Sequence, residues 1–262
     1  MKKGLLASLV LAPALLLAAC NSGGEKEEDK GTTATDSEDK VYTVGIDVTY
    51  PPFEFEEKGE YVGIDVDLIN AIAEDQGFEV KLEAMDFKGI IPALQAGQLD
   101  VAMGGMSITD ERKKVVDFSE PYFEAGVSLV ISENTTDIEK VEDLKGKRVA
   151  VKKGTVGANY ATSIEPEIGF EIVQFDDSPS MFLDVQNGNS VALFEDYPVI
   201  SYAIAQQDLP LKIVGDRLND DKYGIGVLKG KNADVLEKIN DGLENLKESG
   251  EYQNILDKYL AQ

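Results

Sequence analysis

Ile90-Ile91-Pro92-Ala93-Leu94-Gln95-Ala96-Gly97-Gln98-Leu99-Asp100-Val101-Ala102-Met103-Gly104-Gly105-Met106-Ser107-Ile108-Thr109-Asp110-Glu111-Arg112-Lys113-Lys114 changes backbone period three times within one short stretch. A helical repeat over residues 90–96 stops at Gly97, the residue best suited to a left-handed cap. Residues 101–103 read as a short buried strand. Gly104-Gly105 then lets the chain turn sharply, and the charged run after Thr109 reads as the opening of another helix, with Arg112 in its first turn. Helix, strand, glycine turn and helix in succession is the repeating unit of an α/β fold.

The same alternation extends outward in both directions. Upstream, residues 41–46 and 79–83 read as strands, and residues 64–76 carry Ile64, Leu68, Ile69 and Ile72 at helical spacing before Gly77. Downstream a second series gives strands at 148–151, 171–175, 191–194 and 211–214 and helices at 157–164, 179–186 and 198–207. Two last helices follow near 233–249 and 252–260. A weak internal echo links the series: Ala93-Leu94-Gln95-Ala96-Gly97-Gln98 parallels Asp184-Val185-Gln186-Asn187-Gly188-Asn189. On that alignment Gly104-Gly105 corresponds to Glu195-Asp196, each pair just past a strand. Open α/β sheets bind ligands at those strand ends, so two such edges face to face would make a cleft.

The ends of the chain carry other information. Lys2 and Lys3 precede an apolar run that is short for a bilayer span, and Leu17-Ala18-Ala19-Cys20 closes it with the one cysteine of the chain. This resembles a bacterial lipoprotein signal with its lipobox, which implies removal of residues 1–19, acylation of Cys20 and an anchor in the membrane from its outer face. An ordinary export signal with a chance cysteine is the alternative. Residues 21–40 are Gly, Ser, Thr, Glu, Asp and Lys with little that could form a core, and read as a flexible tether from Cys20 of about 25 Å. With a single cysteine no intramolecular disulfide is available. The formal charge of -24 disfavours a nucleic-acid partner, and the absence of histidine removes the usual catalytic triads and most zinc sites.

Candidate chemistry gathers at the strand ends. Ser107 and Thr109 offer hydroxyls, Gly104 and Gly105 permit close backbone approach, and Arg112 with the free amides of a helix start suits a carboxylate. A capped helix with a solvated charge cluster would look similar. Lys152-Lys153-Gly154-Thr155-Val156-Gly157 repeats that logic after another strand.

Together with Tyr50-Pro51-Pro52-Phe53-Glu54-Phe55, Gly63-Ile64-Asp65-Val66-Asp67-Leu68, Phe87-Lys88-Gly89-Ile90 and Asp117-Phe118-Ser119-Glu120-Pro121-Tyr122, these segments resemble the extracytoplasmic solute-binding proteins of polar amino acid ABC transporters. The resemblance implies a type II periplasmic-binding-protein fold: two Rossmann-like lobes joined by two hinge strands. Residues 41–121 and 225–262 would form one lobe, 127–219 the other, with hinges at 122–126 and 220–224. It further implies a monomer that binds a free L-amino acid without cofactor or metal, has no catalytic residue, and delivers its ligand to a membrane permease driven by an ATPase. By position, Arg112 would take the α-carboxylate with amides near Ser107 and Val156 and the Thr155 hydroxyl. Asp196, the Gly105 carbonyl and Ser107 would take the α-ammonium, and Tyr50 and Phe87 would sandwich the side chain.

Asp47, Lys152 and Glu195 fall where glutamine-binding members carry an aspartate, a lysine and a histidine. An acceptor and a donor side by side suit a carboxamide, so glutamine is the first expectation. Glu195 departs from the pattern: it would either orient Lys152 or favour a cationic side chain such as arginine. A sensory lipoprotein and a dehydratase of the same fold with Glu195 as general acid are further alternatives.

Overall fold

The computed structural model describes residues 40–260, so the leader, Cys20 and the tether through residue 39 lie outside the described residues. Strand β1 (Val41–Ile46) is followed by a three-stranded ribbon of β2 (Thr49–Tyr50), β3 (Glu54–Glu57) and β4 (Glu60–Val62). Helix α1 (Ile64–Gln76), β5 (Glu79–Ala84), α2 (Phe87–Gln95), β6 (Val101–Ala102) and β7 (Val116–Phe118) come next. In α1 the residues Ile64, Leu68, Ile69 and Ile72 share one face and are fully buried, and Gly77 ends the helix at φ 65°. Each such side chain removed from water contributes about 1.5–3 kcal/mol, which holds the helix to the sheet.

Strand β8 (Phe123–Glu124) leads into the second lobe: β9 (Val127–Ser132), β10 (Arg148–Lys152), α3 (Val156–Ile168), β11 (Glu171–Phe175), α4 (Ser178–Gln186), β12 (Ala192–Asp196), α5 (Tyr197–Gln207) and β13 (Leu211–Val214). Strand β14 (Lys222–Tyr223) returns antiparallel to β8, and β15 (Gly226–Leu228), α6 (Ala233–Ser249) and α7 (Glu251–Leu260) complete the first lobe. Where α6 crosses α1 the helices approach closely: a Cβ on Gly242 would lie 2.8 Å from Ile72 Cγ2.

The two sheets share one plan. The first is ordered β5-β1-β6-β15-β7 and the second β11-β10-β12-β9-β13. In each the first three strands run parallel, and the fourth, entered directly after a crossing, runs antiparallel to its neighbours. Registers fix the equivalences. Gly45 pairs with Ala102 and Ala150 pairs with Leu193, so two residues further on Asp47 of the first lobe matches Lys152 of the second. By the same count Gly104-Gly105 matches Glu195-Asp196, the correspondence the sequence echo suggests.

The structure departs from the sequence expectation at several places. The expected helix after Thr109 is only a 3-10 turn at Arg112–Lys114, because Val115 and Val116 lead straight into β7, whose pairing with β15 takes over the backbone. Helix α2 begins at Phe87 rather than residue 90, and α3 continues to Ile168 past Pro166. Glu195 and Asp196 are the last residues of β12, held there by pairing with Ser128 and Val127, not residues beyond it. The ribbon, β7, β9 and β15 give no distinct periodic signal of their own; antiparallel partners distant in sequence create them.

Candidate ligand cleft

The strand ends of the two sheets meet around a small, nearly closed cavity of about 10 Å³, room for roughly one water molecule. Its wall is Tyr50, Phe87, Gly105, Ser107, Arg112, Lys152, Thr155, Val156 and Asp196. Of the expected residues Asp47, Gly104 and Glu195 stand behind this wall rather than in it.

Arg112 is only 8% exposed although its backbone sits in a surface turn. Its Nη1 donates to the Ser107 carbonyl at 2.7 Å and its Nη2 to the Gly154 carbonyl at 3.0 Å, so one guanidinium joins both lobes. Two of five N–H donors are committed in this way, leaving others for an anion. The Arg112 amide donates to Thr109 Oγ1 at 3.2 Å, which makes Thr109 a local cap. Burial pulls the Arg112 guanidinium below its usual pKa, opposed by the charge of Asp196.

Across the cavity α3 begins at Val156. Thr155 Oγ1 accepts from the Ala158 amide at 3.1 Å and donates to the Lys152 carbonyl at 2.8 Å, so this hydroxyl proton is already used. The helix start therefore faces the cavity with amides rather than with the Thr155 hydroxyl.

The acidic side of the cavity is a network of two carboxyls and two tyrosines. Asp196 Oδ2 accepts from Tyr50 Oη at 2.9 Å and from Tyr223 Oη at 2.6 Å. Tyr50 Oη also lies 3.1 Å from Glu195 Oε1, an oxygen that accepts from the Asp196 amide at 2.9 Å. Glu195 Oε2 accepts from Ser178 Oγ at 2.7 Å. Burial, reinforced by the neighbouring Asp196 charge, pushes Glu195 up to about 7. Burial also raises Asp196, partly offset by the two tyrosine hydroxyls.

Lys152 is paired with Asp47, not with Glu195. Its Nζ lies 2.6 Å from Asp47 Oδ2 with both side chains almost wholly buried, an ion pair rather than an aligned hydrogen bond. Asp47 Oδ1 accepts from the Thr49 amide at 3.1 Å and the Thr49 hydroxyl at 2.6 Å, which fixes the carboxylate. Lys152 Nζ sits 4.5 Å from the Tyr50 ring centroid and 5.7 Å from that of Phe87, so these two aromatics flank the ammonium. The Arg112 Cζ lies 5.2 Å from the Phe87 ring centroid.

Tyr223, Ser178 and Tyr122 were not singled out from the sequence. Tyr223 lies in the expected crossing, but a lone aromatic there carries no periodic signal. Its backbone bridges to Ser107 and its hydroxyl completes the Asp196 network.

The arrangement is cationic at one end, acidic at the other and aromatic between them, with the Asp47–Lys152 charges cancelling. It suits a small zwitterion. A larger hollow of about 600 Å³, open to solvent, lies near β8 and α5, where Arg217 is committed to the Ala125 carbonyl at 2.8 Å and lies over Tyr197. Among the described residues no helix is long and apolar enough to cross a membrane, and no cluster of three acidic, cysteine or histidine side chains is placed to hold a metal.

The chain is similar to known binding proteins. An arginine-binding periplasmic protein of Mannheimia haemolytica is 36% identical over 82% of this chain and 90% of its own length. The ABC transporter glutamine-binding protein GlnH of Bacillus subtilis (strain 168) is 34% identical over 98% and 96%. The solved structure of an ancestral arginine-binding protein bound to arginine superposes with a TM-score of 0.79 at 41% identity, covering 84% of this chain and 98% of the other. With two lobes of this plan closing on such a cleft, and a family match that runs over residues 42–262, the chain belongs to the bacterial extracellular solute-binding proteins, family 3.

Proposed function

We propose that the cleft binds a free polar L-amino acid, glutamine, outside the cell membrane and presents it to the permease of an ABC importer. Arg112 and the amides at the start of α3 take the α-carboxylate, and Asp196 with the Gly105 carbonyl takes the α-ammonium. The observation that carries the choice of glutamine is Lys152 in the cavity wall, an ammonium fixed 2.6 Å from Asp47 behind it and beside the Tyr50 ring. It offers a donor to a carboxamide oxygen, whereas a guanidinium would face that ammonium at the position where its own charge must lie. The strand pair β8 and β14 acts as the hinge, and Cys20 as the lipid anchor.

A second reading is arginine. Three buried carboxyls, Asp47, Glu195 and Asp196, surround two buried cations, and relatives with both specificities match this chain. Thermal unfolding of the soluble domain with each amino acid in turn tests the proposal, because a ligand specific to the folded state raises the midpoint. Glutamine should give the largest rise, and Lys152→Ala should abolish it by leaving Asp47 buried and unpaired. A rise with arginine that grows in Lys152→Ala would establish the second reading; no rise with any amino acid would sink both.

A further inference from the structure

Behind the cleft wall lies a second pair of acids that the ligand chemistry does not use. Glu54 and Asp65 are both fully buried, and Glu54 lies directly beneath Gly104: a Cβ on that glycine would be 3.2 Å from Glu54 Oε1. Asp65 is well supplied with donors, most of them at Oδ2. Its Oδ2 accepts from the Gly104 amide at 3.1 Å and the Gly105 amide at 2.8 Å, and the Tyr122 hydroxyl reaches both oxygens, at 2.7 and 2.9 Å. Among the described residues no N–H or O–H reaches either Glu54 oxygen.

We propose that Glu54 is a protonated acid hydrogen-bonded to ionised Asp65, and that this pair positions the Gly104-Gly105 wall of the cleft. Two adjacent, fully buried carboxyls oppose each other's ionisation, and a proton on one supplies the missing hydrogen bond. Donor counting decides which. Asp65 is held ionised by two amides and a phenol, while Glu54, with nothing donating to it, gains only as the donor. The charged groups acting most strongly on Glu54 agree: Asp65 and Asp47 oppose its ionisation, and Lys152, which favours it, is engaged with Asp47. Burial as the first cause, then Asp65, raises the Glu54 carboxyl well above its ordinary value.

The functional link runs through the backbone. Asp65 fixes both glycine amides, and Gly105, at φ 52° with no room for a Cβ against the Tyr50 ring, lines the cavity. This last step rests on the reading of the cavity as an amino acid site.

Two measurements on the intact folded domain test it. The infrared difference between parent and Glu54→Gln at about pH 8, above the Glu195 titration, should show a carboxylic-acid carbonyl band lost with Glu54. Its absence would overturn the proposal whether or not any amino acid binds. Calorimetry with glutamine should find Glu54→Gln within about twofold of the parent, since the amide donates to Asp65 as the acid does, and Glu54→Leu about tenfold weaker or worse. Equal loss in both variants would refute the positioning role. Should Glu54→Leu fail to fold, Glu54→Gln and the infrared band still decide. If the parent shows the band but binds no amino acid, the proton assignment survives and the reading of the cavity falls.

Discussion

Glu195 sits where the first lobe has a glycine, and its environment makes it a titrating group in the neutral range. Its carboxyl is raised from 4.5 to about 7, first by burial and then by Asp196. Between these values the folded chain holds a proton that the unfolded chain releases. Folding stability should therefore fall as pH rises from about 4.5 to about 7, by up to about 1.4 kcal/mol per pH unit from this group. Urea unfolding across that range should show a shallower decline in Glu195→Gln, which stays neutral, its amide oxygen accepting from the Asp196 amide and its NH2 donating to Ser178 Oγ. An identical slope in the variant would remove Glu195 from the account. The residue was conspicuous in sequence as a departure from the glutamine-type pattern, but its partner was not legible. Ser178 opens α4 17 residues before Glu195, and Asp47 meets Lys152 only across the two lobes, so neither pairing carries a local signal.

Elements were legible where local pattern and tertiary demand agree. Helix α1 carries its apolar face and its glycine stop within thirteen residues, and nothing in the fold opposes either. The segment after Thr109 was not, because a charged run with good helix formers is overruled by the strand that follows it. Gly104, Gly105 and Gly154 at strand ends were legible as close-approach points, and each has positive φ in the structure. At α3 the cap is also a cleft element: Thr155 bonds forward to Ala158 and back to Lys152. Thr155→Ala should lose about 1 kcal/mol of stability with Thr155→Ser close to the parent, since only the hydroxyl is needed. Chemical unfolding of the two variants measures it; a Thr155→Ser loss as large as that of alanine would shift the cause to the methyl group.

For the molecule as a whole, the lobes touch directly on both sides of the cavity. Arg112 reaches Gly154, Tyr50 reaches Asp196, and at the rim Lys88 of α2 and Lys153 both pair with Asp176. A Cβ on Gly154 would lie 3.1 Å from Lys88 Cα, so the lobes come within backbone contact there. If a bound amino acid bridges Arg112 and Asp196, it favours this closed arrangement by its difference in affinity for closed and open forms. Small-angle scattering of the soluble domain should then give a smaller radius of gyration at saturating glutamine than without it. An unchanged radius would mean that the ligand does not drive closure.

The equivalence of Asp47 and Lys152 bears on that closure from another direction. Two copies of one sheet plan brought face to face form a pseudo-isologous contact, in which each position meets its own counterpart. Identical side chains there would set like against like, and a buried carboxylate pair or ammonium pair would hold the halves apart. Opposite signs at positions 47 and 152 turn self-repulsion into complementarity and, at the same stroke, give the joined halves a polarity that the repeated backbone lacks. An asymmetric guest can therefore lie between them in one direction only.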